Sequence, residues 1–168
     1  MISVNVHNLG KRYGSTTVFK NLSFSFDTGV LGIAGSNGSG KSTLLKCLAG
    51  LERVSSGTIT WRQDEHQLSE IDFRKRLGFV APYINLYHEL TVRENLELVL
   101  QLRKREISHQ KKQELWNQLQ LTGLEEKHFG ELSTGQRQRA RLACTLSYDP
   151  SILFLDEPEP TWMNRDVK

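Results

Sequence analysis

The sequence predicts an α/β fold with an antiparallel β part near the N-terminus and a mostly helical insert in the second half. Three observations predict it. The wholly apolar run Val30-Leu-Gly-Ile-Ala34 enters a glycine-rich loop that leads into a helical pattern. A second apolar run, Ile152-Leu-Phe-Leu155, ends in Asp156-Glu157. Between them, residues 88–131 carry helical periodicity and N-cap signals rather than alternation. The chain has 168 residues, 38% of them apolar and 24% charged, which suits one globular domain with a real core. The expected division is a core of 1–87 and 132–168 that includes the β part, with 88–131 as a helical subdomain.

Each element has a local reason. Ile2, Val4 and Val6 alternate with polar residues, the pattern of a half-buried strand. Tyr13-Gly14 marks a turn, and Phe19, Leu22, Phe24 and Phe26 form a second strand pairing with the first. Asp27-Thr-Gly29 then turns the chain into 30–34, read as a strand covered on both faces. Leu44, Leu45, Leu48 and Leu51 give a helical period closed near Gly50. Thr58–Trp61 and Arg76–Val80 read as strands. Thr91 followed by Glu94 is a capping box, opening a helix whose apolar face is Val92, Leu96, Val99 and Leu100. A further helix is expected from Ser108 to about Leu121, with Leu115, Trp116 and Leu119 inward. Ser133 and Gln136 repeat the capping-box spacing ahead of a helix running to about Tyr148.

Composition narrows the function classes. A net charge of +3 is too weak to argue for nucleic acid, and the basic spots at 103–105 and 111–112 read as solvated helix faces. Cys47 and Cys144 lie far apart with no metal-ligand spacing, so they read as free thiols of a reducing compartment. The first ten residues lack the basic and apolar regions of a signal peptide, and no apolar run reaches the roughly 18 residues that span a bilayer. The expected location is the cytoplasm, or the cytoplasmic face of a membrane through a partner.

The chemistry concentrates in three stretches. Gly35-Ser36-Asn37-Gly38-Ser39-Gly40-Lys41-Ser42-Thr43 matches the phosphate-binding loop, with an apolar run before it and a helix after it. Glycines let main-chain N–H groups approach phosphate oxygens, and the helix points its positive end at the same place. Lys41 supplies a charge for the β- and γ-phosphates, Ser42 a magnesium ligand, and Thr43 a phosphate donor. The loop therefore predicts binding of a nucleoside triphosphate with Mg²⁺. Asp156 and Glu157 supply the metal-side acid and the general base that such a loop needs, and strand alternation is expected to point them apart. Leu132-Ser-Thr-Gly-Gln-Arg137 opens a helix with Gly135 in its first turn, where glycine disfavours the helix by up to about 1 kcal/mol relative to alanine. That placement makes sense if a ligand must come close to the backbone, and a helix start is itself an anion site.

The order GSNGSGKST, LSTGQ, ILFLDEP resembles the nucleotide-binding domain of ABC transporters, over essentially the whole chain. The resemblance implies a P-loop NTPase fold with a RecA-like core, an antiparallel β subdomain and a helical subdomain at 88–131. It implies ATP and Mg²⁺ as cofactors, with Tyr13 stacking on adenine. It implies a head-to-tail homodimer or heterodimer of such domains, in which Ser133, Gly135 and Gln136 face the γ-phosphate in the partner's site. Membrane-spanning subunits are the other implied partner, and no nucleic acid is expected.

Three departures accompany the resemblance. The position of the family's loop glutamine falls on Pro82, with Tyr83 beside it, and proline has no side-chain donor or acceptor. Thr134 stands where glycine is commoner. After Pro158 the family's aspartate loop, last strand and histidine are not matched, and His66, His88, His109 and His128 are misplaced for that histidine. The sequence is therefore expected to be a truncated or altered version with an uncovered sheet edge. Two alternatives stand beside a transport ATPase: an ATP-binding module with little or no turnover, and a soluble relative acting on ribosomes or DNA. The short length and the missing glutamine lean toward export rather than import.

Overall fold

The computed structural model describes residues 1–157, so the expectations placed beyond Glu157 lie outside the described residues. The chain divides into two compact units, Met1–Leu77 and Gly78 onward.

The first unit is built on a four-stranded antiparallel sheet. Strands β1 (Ile2–Tyr13), β2 (Thr16–Phe26), β3 (Ser56–Gln63) and β4 (His66–Gln67) lie in the order β2-β1-β3-β4. Val4 and Val6 are buried and Asn5 and His7 exposed, as the alternation predicts. The alternation then slips, so that Leu9 is the next buried side chain. A register shift between Val6 and Leu9 accounts for the slip, with Asn8 in the left-handed region at φ 47°. Gly57 crosses that bulge so closely that a Cβ there would lie 2.4 Å from the Asn8 carbonyl oxygen.

Helix α1 (Lys41–Leu48) follows the glycine loop. It ends at Gly50, which takes φ 67°, and the Leu51 amide donates back to Lys46 O. Trp61 of β3 ties the sheet to this helix: its indole N–H donates to Leu48 O at 3.1 Å. The same ring stacks on Phe73 of α2 (Glu70–Arg76), with centroids 5.1 Å apart. Sequence reasoning missed α2. Its signal was Ser69, whose hydroxyl accepts from the Asp72 amide, but Phe73 alone is buried and so no apolar period exists.

One expectation fails here. Residues 30–34 form no strand among the described residues, and Val30 is 95% exposed. A fully apolar strand needs ladder partners and cover on both faces. Among the described residues, the antiparallel sheet of this unit pairs with none of residues 30–34.

The second unit pairs β5 (Leu77–Val80) with β6 (Ile152–Leu155), and the Asp156 amide continues the pairing onto Val80 O at 2.9 Å. Helices α3 (Val92–Arg103), α4 (His109–Gln118) and α5 (Thr134–Leu146) supply the rest, with a 3-10 turn at Phe129–Glu131. The core gathers around Val92, Leu96, Trp116, Leu121, Phe129 and Ala140, each fully buried. At about 25 cal/mol per Å² of apolar surface, burying side chains such as Leu96 and Phe129 contributes roughly 1.5–3 kcal/mol each. Both capping boxes form as the spacing predicts, at Thr91/Glu94 and Ser133/Gln136. Cys47 and Cys144 are buried free thiols.

Candidate functional site

In the first unit, the loop at 35–41 closes on itself. The Ser39 amide donates to Ser36 O, and the Lys41 ammonium donates to Gly35 O and Ser36 O at 2.8 Å each. Gly38 (φ 78°) and Gly40 (φ 93°) occupy the left-handed region that glycine tolerates. Added bulk has no room: a Cβ on Gly40 would lie 2.5 Å from Val18 Cγ1, and one on Gly35 would lie 2.7 Å from Ser39 Oγ. Gly40 caps α1 without any side-chain hydrogen bond, and the first turn carries no acidic residue. Gly40 therefore offers these first amides no side-chain acceptor, and no acidic side chain of the first turn opposes an anion. Ser36, Asn37, Gly38 and Ser39 are exposed at the rim, and Ser42 and Thr43 are half-buried in the first turn. A helix N-terminus entered by a glycine and a lysine held by two carbonyl oxygens form the donor set that a polyphosphate requires.

Tyr13 stands at the end of the β1–β2 hairpin, paired with Thr16. Two residues further along β2 is Val18, the residue that packs against Gly40, so the hairpin tip and the loop are neighbours. One face of the Tyr13 ring is covered by the Lys11 ammonium, 4.4 Å from its centroid. Lys11 is held there by Glu52 Oε1 at 2.6 Å and Arg53 O at 2.7 Å. The hydrogen bond that Lys11 donates to Glu52 keeps the Lys11 pKa above its ordinary value, so the cation beneath the ring is permanent at neutral pH. The ring is still 50% exposed.

In the second unit, Asp156 is 6% exposed and Glu157 is exposed. The two acids thus differ in exposure. β6 stops at Leu155, and Glu157 takes a left-handed φ of 51°, uncommon for a residue with a side chain. Tyr83 donates its hydroxyl to Asp156 Oδ2 at 3.1 Å. Partial burial, reinforced by the Asp156 carboxylate, pushes the phenol up to about 12, so it remains a donor across the neutral range. The loop carrying Tyr83 is anchored further along. Asn95, 1% exposed, accepts from the Tyr87 amide at 2.8 Å and donates to the carbonyls of Tyr87, Leu90 and Thr91. Arg141 donates to Asn85 Oδ1 at 2.9 Å.

At the start of α5, Ser133 Oγ accepts from the Gln136 amide at 3.3 Å, and Gln136 Oε1 accepts from the Ser133 amide at 2.9 Å. The Ser133 hydroxyl keeps its own hydrogen to donate outward. Gly135 is the second residue of the helix. Arg137 braces this entry by donating to Leu132 O and Gly130 O at 2.9 Å each.

Among the described residues, no three His, Cys, Asp or Glu side chains cluster as a self-sufficient metal site. Magnesium commonly takes one or two carboxylates together with phosphate oxygens and water, so a single carboxylate such as that of Asp156 suits its donor chemistry without such a cluster. Sequence reasoning missed Lys11, Tyr83, Asn95 and Arg137 as parts of the site. Lys11 reaches Glu52 41 positions away, and Tyr83 meets an acid 73 positions away, which no local pattern encodes.

Residues 19–160 match the protein family described as ABC transporter. Among curated relatives, the sulfate/thiosulfate import ATP-binding protein CysA of Synechocystis sp. is 38% identical over 161 residues, covering 94% of this chain and 45% of that protein. The probable sulfate/thiosulfate import ATP-binding protein CysA of Chlorella vulgaris is 39% identical, and the match covers 67% of it. The chain thus spans about half the length of most of the curated relatives it matches. Among solved structures, cbiO1 of Clostridium perfringens, part of the ABC transporter complex cbiONQ, superposes with a TM-score of 0.71 at 26% identity, covering 92% of this chain and 65% of that one. An ATP-binding subunit of an ABC transporter superposes with a TM-score of 0.72 at 22% identity, which supports the P-loop NTPase fold.

Proposed function

The chain belongs to the ABC transporter family, and from that premise we propose that it is the ATP-binding, ATP-hydrolysing part of a transport system driven through partner membrane-spanning subunits. The observation that carries the reading is the loop at 35–41: a glycine cradle at an uncapped helix start, with Lys41 folded over it. In this reading the amides from Gly38 to Ser42 bind the phosphates, and Lys41 exchanges its two carbonyl partners for β- and γ-phosphate oxygens. Tyr13 stacks its open face on adenine. Ser42 and Asp156 hold Mg²⁺, which when bound offsets the charge developing on the phosphate oxygens. Glu157 accepts the proton of the attacking water. Ser133, Gly135 and Gln136 serve the γ-phosphate bound by a second such domain, in a homodimer or heterodimer. Residues 88–131 are the helical subdomain that meets the membrane subunits.

No helix among the described residues is long and apolar enough to cross a membrane. The proposed place is the cytoplasmic face, peripheral to the membrane subunits. The relatives' names point to import, against the export expectation, and make sulfate and thiosulfate the first cargo to test. They also favour a transporter over a ribosome- or DNA-acting relative. A second reading, nucleotide binding with little turnover, draws on Pro82 at the glutamine position, which leaves that position without a polar side chain.

Phosphate release at saturating Mg²⁺ and ATP tests both. Glu157→Gln should lower the rate at least about 100-fold while ATP still binds. Equal rates in the two proteins would exclude Glu157 as the base and leave the binding module.

A further inference from the structure

The geometry points to Tyr83 as a positioning residue for the metal-side carboxylate, its hydroxyl bond to Asp156 Oδ2 holding that group at one rotation. The inference rests on the proposed role of Asp156 toward Mg²⁺. A carboxylate on a short side chain rotates readily, and magnesium demands a nearly fixed angular arrangement of its ligands. Hydrogen bonds to a ligating carboxylate therefore change metal affinity, by about 10- to 100-fold in known sites.

The Tyr83 hydroxyl is placed for this by its loop. Upstream, Val80 O receives the Asp156 amide at 2.9 Å, which sets the backbone of the loop's origin beside the backbone of the acid. Pro82 narrows the torsions available just before Tyr83. Downstream, Asn85 is held by Arg141 and Tyr87 by Asn95. The segment is fixed on both sides of Tyr83, and the aromatic stem spans the gap to Oδ2 at 3.1 Å. Pro82 can make no such contact. Tyr83 thus acts through Asp156 and need not touch the ion or the nucleotide.

The test uses the full chain with ATP as the probe, titrated once in excess Mg²⁺ and once in EDTA. The readout is the ratio of the two dissociation constants, compared among the parent, Tyr83→Phe and Asp156→Asn, with thermal melting alongside. Tyr83→Phe removes one half-exposed hydroxyl and should melt close to the parent. Its metal advantage should fall about tenfold, with the affinity in EDTA unchanged. Asp156→Asn should abolish the advantage. If Asp156→Asn abolishes it and Tyr83→Phe leaves it at the parent value or raises it, Tyr83 does not position the acid, while the reading of Asp156 stands. If Asp156→Asn retains the full advantage, the reading of Asp156 falls and takes this inference with it. Equal losses in Mg²⁺ and in EDTA for Tyr83→Phe also overturn it, because positioning of a metal ligand leaves the metal-free affinity alone.

Discussion

The Lys41 ammonium donates to the carbonyl oxygen of Gly35 at 2.8 Å, so the cation is stored on the backbone of the loop it serves. Binding a phosphate means exchanging neutral carbonyl partners for charged oxygens, and charge-assisted hydrogen bonds are about twice as strong as neutral ones. Lys41→Ala should weaken ATP binding by roughly 2–4 kcal/mol, about 30- to 1000-fold in Kd. Calorimetric titration checks it. An unchanged Kd would remove the phosphates from this loop.

Asn95 is a structural fastener with a functional consequence. Four hydrogen bonds join its side chain to the backbone of 87–91. Asn95→Ala leaves the Tyr87 amide without its acceptor, while the carbonyls of Tyr87, Leu90 and Thr91 each keep a backbone donor. The expected loss is about 1–3 kcal/mol, read as a lower urea midpoint with an unchanged m-value. A loss below about 0.5 kcal/mol would mean that this loop does not depend on Asn95.

The capping box of α3 predicts a pH dependence. The Thr91 amide, bonded to Glu94 at 2.7 Å, keeps the Glu94 carboxyl below its ordinary pKa of 4.5. A depressed carboxylate stabilises the fold above the unfolded-state value, and that stabilisation is lost as pH falls through the folded-state value. Glu94→Gln keeps an acceptor but no longer titrates, so its stability should fall less steeply from pH 5 down to about pH 3. Thr91→Ala should cost about 1 kcal/mol at neutral pH. Parallel acid titrations of the parent and Glu94→Gln would count against this if they coincided.

The two thiols should be inert in the native protein. Burial pushes the Cys144 thiol up to about 12, leaving on the order of one thiolate in ten thousand at pH 8. Burial also raises Cys47, against the opposing pull of Lys11. Iodoacetamide at pH 8 should label neither in the native state and both in urea, as read by intact mass. Rapid native labelling of Cys144 would show that its surroundings open readily.

Local patterns in the sequence carried much of the site. Gly35 to Thr43 could be read because each residue type meets a requirement of the same short loop: left-handed torsions at Gly38 and Gly40, and a cation at the helix start, Lys41. The caps at Thr91 and Ser133 were legible because donor and acceptor lie three residues apart. Helix α2 was hidden because only Phe73 is buried and no period forms. The apolar run at 30–34 misled, since composition states a need for burial without saying what meets it.

The glycine loop ahead of α1, both capping boxes, the two acids after β6 and the family itself were determined by the sequence, because each rests on contacts within a few residues or on a short motif. The Lys11 cation beneath Tyr13 and the bond from Tyr83 to Asp156 belong to the folded chain. Tyr83 meets Asp156 across 73 positions and Lys11 is held under Tyr13 by Glu52, 41 positions away, and pairing at that range is set by how strands and helices pack rather than by which residues adjoin.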